Sequence, residues 1–366
     1  MQQCIIQKIL LGKHCRLLEG VTMKNMEKEG HRSRLLSSRG VGQVLTITLG
    51  WIVICIIFGL INPSFFSGRN VGNLFRQIAP ILLIGIGQGF VLITGQIDLS
   101  LGSVVGMCSM FSATLMTHSV NPGVAVLIAL ILSVATGLLN GFLVAGCKIP
   151  PFIATLGTMS IARGLAQIVN GNYNTDSIGN NAQGFRDFFY YGKSLNVYNA
   201  IWIALLFWIV FDFIARRTVI GRHIYAVGSN IEAAKLSGIN TSRSITFAYM
   251  VSGLCAGIVG LMTCATSGMG SMDAGTSYEM YAVAAAVIGG ISTLGGEGLL
   301  IGTIVGAGIW GTLQNGLQFA GAPVGIRNIF IGIIVIISVS MDIIVRAGKG
   351  RAVKRKSKYK EKIKLD

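Results

Sequence analysis

The chain has 366 residues, 52% of them hydrophobic and 12% charged, with a formal net charge of +16. That is about half the charged share of an ordinary soluble domain, too little to cover water-facing cores in a chain of this length. The apolar content excludes intrinsic disorder, and 49 glycines against six prolines without a G-X-Y period exclude collagen, which leaves a polytopic membrane protein.

In chain order, residues 1–43 come first, a basic segment expected on the cytoplasmic side. Its short apolar snatches are interrupted by Lys8, Lys13, His14 and Arg16, so no secretory signal is read there. Residues Leu18–Thr22 can be encoded by purine-rich codons resembling a ribosome-binding site, so the expected start is Met23 and 1–22 is read as an over-extended frame. Further basic clusters fall at 216–243 and 346–366. Clusters at both ends and in one loop of a hydrophobic chain are positive-inside topology signals, with the lipid bilayer as partner and no nucleic acid. Seven cysteines without a CxxC, mostly in apolar runs, read as reduced thiols packed among helices, and the four histidines lack metal-ligand spacing.

A membrane helix needs ~20 mostly apolar residues. Ten runs qualify as candidates: 44–61, 78–97, 101–118, 123–146, 151–169, 197–214, 245–267, 281–294, 299–319 and 326–345. The run at 281–294 is short, which predicts a broken or re-entrant helix. An even count puts both termini on one side. Threading from the cytoplasm returns the basic loop 215–244 inside and places the charge-balanced loop 170–196 outside. Pro80 and Pro150-Pro151 are expected in the first turns of the second and fifth spans, and Asn62-Pro63 and Asn121-Pro122 in outside turns. The fold class is thus all-α, with about ten transmembrane helices in a domain at 44–345 and a basic cytoplasmic tail at 346–366. Ten spans are also compatible with a 5+5 inverted repeat, of which Ile93–Ile97 and Ile288–Ser292 are a faint sign.

Gly-xxx-Gly pairs recur at Gly85/Gly89, Gly102/Gly106, Gly137/Gly141 and Gly253/Gly257, with a triple at Gly298/Gly302/Gly306. They predict close helix packing within the subunit, because lipid gives no hydrophobic push between helices. No fuel is visible. Arg163 is the clearest charge inside a span, and Asp98, Asp273, Glu279, Glu297 and Asp342 fall at ends or breaks, which makes a poor proton relay. Gly192-Lys193-Ser194 lacks the remaining P-loop glycine. No cofactor, metal site or catalytic residue is expected.

The loop at 221–239 carries a designed stop and start. Ser229 and Glu232 read as a capping box, Ala233 and Ala234 as strong helix formers, and Gly238 as the helix end. This predicts a short, rigid cytoplasmic helix at 230–237 able to dock in a partner's groove.

The Glu-Ala-Ala-x-x-x-Gly pattern at Glu232–Gly238 resembles the loop by which ABC importer permeases engage their ATPases. Three further stretches, Leu92–Ser103, Pro151–Gly164 and Ala286–Gly298, resemble in the same order the ribose/galactose/xylose type of bacterial sugar ABC permease. Gln96 stands where many such proteins carry a small residue. The resemblance implies a permease subunit in the bacterial inner membrane, not itself an enzyme, that forms the path for a simple sugar. Its implied partners are an ABC ATPase subunit, an extracytoplasmic sugar-binding protein and a second permease subunit. It implies coupling residues Gly221, Arg222, Ser229, Asn230, Glu232, Ala233, Ala234 and Gly238, and pathway residues Thr94, Gly95, Gln96, Asp98, Ser100, Thr155, Thr158 and Arg163. A permease for nucleosides or branched-chain amino acids is the nearer alternative, and a stand-alone carrier or channel the more distant one.

Overall fold

The computed structural model describes residues 39–340, apart from 180, 181, 324, 328, 331, 335 and 338. The expectations for 1–38 (the Met23 start included), for Asp342 and for 346–366 lie outside the described residues. The chain divides into two units, Met1–Thr46 and Ile47–Asp366. In the first, the described residues open α1 (Arg39–Ile61). All packing below lies within the second.

There follow α2 (Gly68–Ile93), α3 (Leu101–Thr117), α4 (Pro122–Gly141), α5 (Pro151–Ile168) and a single turn, α6 (Gln183–Arg186). After these come α7 (Asn199–Arg217), α8 (Val219–Ser229), α9 (Ile231–Leu236), α10 (Thr241–Ser267), α11 (Tyr278–Ile288) and α12 (Leu300–Phe319). A further apolar helix covers Gly325–Ile334. Each apolar run of the sequence therefore holds a helix. Five are long and apolar enough to cross a membrane: Val44–Ile61, Gly68–Ile93, Pro122–Gly146, Asn199–Arg217 and Thr241–Ser267. The protein is an all-α membrane protein, save for a small hairpin of β1 (Lys193–Ser194) and β2 (Val197–Tyr198). Leu195 and Asn196 turn that hairpin at φ 53 and 61.

Burial separates the centre from the rim. The apolar windows of α2 and α10 are 83% and 78% buried, against 6% for α1 and 22% each for α4 and α7. The rim helices turn Leu49, Ile56, Leu127, Ile131, Leu206 and Phe213 outward, as lipid-facing helices do. Glycine makes the central contacts. A Cβ at Gly137 would strike the Tyr249 carbonyl, and one at Gly253 the Ser133 carbonyl, so α4 and α10 approach backbone to backbone. Gly302 and Gly306 bring α12 equally close to Gly289 and Ala285. Gly298, expected to extend that row, instead precedes α12 in an irregular stretch at φ 131.

Local signals hold at most boundaries. Pro151 opens α5, Asn121 Oδ1 accepts from the Gly123 N–H at the head of α4, and Asn62 Oδ1 accepts from the Ser64 N–H. Pro80 is a correction: α2 begins at Gly68, so Pro80 lies inside it and not in its first turn. The polar stretch Arg69–Gln77 had hidden ten helical residues from an apolar-run count. The break expected at 281–294 is observed, for α11 stops after 11 residues and 289–299 is not helical. Ile93–Ile97 and Ile288–Ser292 each begin on the last residue of a helix, α2 and α11, and just beyond the second the Gly296 N–H donates to the Ile93 carbonyl at 2.8 Å.

Candidate functional site

Two structures meet at that end: the α8–α9 pair, which joins α7 to α10, and the breaks after α2 and α11. Thr218 starts α8, its Oγ1 accepting from the Gly221 N–H at 3.2 Å. Gly221 is needed there because a Cβ would enter the Ile214 and Ala215 carbonyls of α7. Asn230 then caps α9, its Oδ1 accepting from the Ala233 N–H at 2.9 Å. This corrects the expected capping box: Ser229 is the last residue of α8, and Glu232 pairs with Lys235 at 2.8 Å. Gly238, at φ +80, ends α9 as expected. The Gly238 N–H donates to Lys235 and the Ile239 N–H to Ala234, the paired bonds of a Schellman ending. Ala234 faces inward at 4% exposure, while Leu236 stands 90% exposed, and Arg222 and Ala233 are also at the surface.

The contact between the α8–α9 pair and the breaks is main chain on main chain. A Cβ on Gly228 would overlap the Ile93 carbonyl and lie 2.6 Å from the Gly296 nitrogen. Gly95, at φ +76, and Gly295, at φ +85, bring the two breaks together from either side. Tyr225 of α8 donates to the Gly298 carbonyl at 2.8 Å. Burial pushes its hydroxyl up to about 12, so it keeps the proton that makes this bond at neutral pH. The α8 main chain thus abuts the end of α2 and the non-helical stretch between α11 and α12.

Behind the first break lies a buried polar chain. Asp98, 1% exposed, accepts from the Ser100 N–H at 3.0 Å, the Ser100 hydroxyl at 2.7 Å and the Ser252 hydroxyl at 2.7 Å. Asn140 donates to Ser100 at 2.8 Å and accepts from Thr158 at 2.6 Å. Tyr249 donates to the Ile97 carbonyl at 3.0 Å. Donors on three sides allow a carboxyl to stay buried, and the chain ties α3, α4, α5 and α10 to the break.

The expected pathway residues are thus divided. Asp98, Ser100 and Thr158 meet in this chain. Thr94, the C-cap of α2, bonds back to Val91, and Thr155 bonds to Pro151 within α5. The Gln96 N–H also returns to Val91. Arg163 stands apart, donating to the Met272 and Ala274 carbonyls at 2.6 and 2.9 Å with Glu279 and Asp273 nearby. Asn140, Ser252, Tyr249 and Gly228 were missed. A polar residue inside an apolar run was the available signal for the first two.

A glycine-stitched junction thus joins a capped helix pair to the breaks that follow α2 and α11. The chain belongs to the family described as branched-chain amino acid transport system / permease component, which matches residues 70–339. It is 35% identical over 306 residues to the ribose import permease protein of Bacillus subtilis, covering 83% of this chain and 94% of that one. It is 34% identical over 295 residues to the D-allose transport system permease protein of Escherichia coli, covering 79% and 88%. It is 32% identical over 315 residues to the galactose/methyl galactoside import permease protein of Haemophilus influenzae, covering 80% and 92%. No solved structure matches the chain significantly.

Proposed function

We propose that the chain is the membrane-spanning permease subunit of an ATP-binding-cassette importer for a simple sugar. The observation that carries this reading is the α8–α9 pair, capped at each end and seated by Gly228 on both helix breaks. The relatives compared above are named for ribose, allose and galactose, which favours sugar over the amino acids in the family's description.

In this reading the ten apolar helices all cross the bacterial inner membrane and both termini are cytoplasmic. The loop 215–244 meets an ATPase subunit, with Gly221, Arg222, Ser229, Asn230, Glu232, Ala233, Ala234 and Gly238 forming or shaping the contact. An extracytoplasmic binding protein delivers the sugar on the side of 170–196, and a second permease subunit completes the path. ATP is hydrolysed by the partner chain. Movement of α9 reaches α2 and α11 through Gly228, while the Asp98–Ser100–Asn140–Thr158 chain keeps the break in shape.

Reconstitution tests it. Sugar uptake is expected only with the ATPase, the binding protein and ATP all present. Uptake by the permease alone, or uptake that collapses with an uncoupler while ATP is held constant, contradicts the proposal.

A further inference from the structure

At the end of the bundle opposite α8 and α9, a cavity of about 340 Å3 lies between α2, α10, α11 and α12. Pockets of this size hold one small ligand. Its wall mixes apolar groups with polar ones: Gln77, Thr263, Thr266, Tyr278, Tyr281 and Gln314 line it, with Arg327 beside them. A second compartment of about 200 Å3 shares Gln77 and Gln318 with the first and adds Arg69, Asn70, Asn73 and Asn315. On α2 the amides stand at 70, 73 and 77, and on α12 at 314 and 318, spacings that keep each set on one helix face.

These groups are held in place. Asn70 and Asn315 exchange amide hydrogen bonds at 3.0 and 3.2 Å, and Asn315 also donates to Gln77 at 3.4 Å. The Tyr281 hydroxyl is turned to Gln314 and the Tyr278 hydroxyl to Thr263. The Tyr281 ring lies on Trp310 with centroids 5.1 Å apart. Arg327 Nε is buried at the wall without a partner among the described residues.

The lining selects a chemistry. Side-chain amides donate and accept at once, as hydroxyl groups do. Aromatic rings pack the apolar face of a saturated ring. An apolar ligand would strand the amides. Metal ions are disfavoured, since no acidic residue is among the described lining groups. We propose that this cavity binds a single neutral monosaccharide within one subunit, with the smaller compartment as its entrance. The proposal rests on the sugar-importer reading and adds to it a site inside the subunit.

The test has two stages. The complete importer, with ATPase and binding protein, is first assayed for uptake of D-ribose, D-allose, D-galactose and L-arabinose. The transported sugar is then offered to the full-length permease alone in nanodiscs, and binding is read by saturation-transfer NMR. Saturable millimolar binding is expected, weakened on the order of tenfold by Gln314→Leu and by Gln77→Leu, the worth of one or two lost hydrogen bonds. Leucine favours membrane insertion, so these variants keep their helices in place. Tyr281→Phe, which removes one hydroxyl only, is expected to weaken binding several-fold. Absence of saturable binding, or binding unchanged in all three variants, overturns the site while uptake leaves the importer reading standing. Uptake of none of the four sugars overturns both.

Discussion

The two ends of the bundle are built from opposite materials. Where α8 meets the breaks after α2 and α11, glycines bring main chain against main chain, and a single added methyl has nowhere to go. At the other end, side chains do the joining. Arg76 of α2 lies over the rings of Tyr190, Tyr191 and Tyr198 at 4.8, 5.1 and 4.5 Å. Arg186 stacks on Tyr191 and Lys193 on Tyr198, extending a ladder of cations and rings across 186–198. Long side chains can slide and re-pair, whereas interlocked backbones transmit a push with little loss. On the importer reading proposed above, the difference suits one end to transmission and the other to admitting a solute.

Substitutions can break this contrast, and the largest effect is expected at Gly228. Gly228→Val drives a side chain into the Ile93 carbonyl and the Gly296 nitrogen. Strain of about 3 kcal/mol, the upper range for overpacking, is expected at the junction. Sugar uptake should fall to background while the protein remains in the membrane fraction. Normal uptake would mean that the junction is not tight.

Gly238→Val comes next. No atom lies within 4 Å of a Cβ there, so the whole cost is the backbone at φ +80. About 1–2 kcal/mol of strain at the end of a six-residue helix should sharply reduce ATPase co-purification and uptake. Gly238→Asn, which tolerates this conformation, should retain most of both.

Arg76→Gln probes the opposite end. Losing contacts to three rings is expected to cost about 1–2 kcal/mol, seen as a lower melting temperature and faster proteolysis within 170–198. Co-purification with the ATPase should not change. The smallest effect is expected from Glu232→Ala, since its ion pair with Lys235 is 73% and 50% exposed on the two side chains. Such a pair is worth less than about 0.5 kcal/mol, so a larger loss of uptake would show that Glu232 meets the ATPase directly.

Much of this was legible in the sequence because it depends on local chemistry. Apolar runs marked the helices, Pro151 the start of α5, and Gly238 the end of α9. The cap of α9 was misplaced by one residue because Ser229 and Asn230 are both good caps, and only the length of α8 decides between them. The early start of α2 escaped because its first turns are polar, facing a cavity that an apolar-run count does not foresee. The Asp98 chain was half visible. Asp98 and Ser252 are 154 residues apart and Asn140 and Ser100 are 40 apart, so their meeting is a product of helix packing. Gly228 looked like any loop glycine until the Ile93 carbonyl was found against it.

The central claim is that α9 faces the ATPase from the cytoplasm, at the far end of the protein from the hairpin turn. Leu236 is 90% exposed in α9 and Leu195 is 86% exposed in that turn, so the two form a matched pair. In a background without native cysteines, Leu236→Cys and Leu195→Cys are treated in intact cells with a membrane-impermeant maleimide, and in membranes with a short crosslinker beside the ATPase. The account predicts that Leu195→Cys labels from outside without crosslinking, and that Leu236→Cys crosslinks to the ATPase and labels only after permeabilisation. Labelling of Leu236→Cys in intact cells, or an ATPase crosslink at Leu195→Cys, would contradict it.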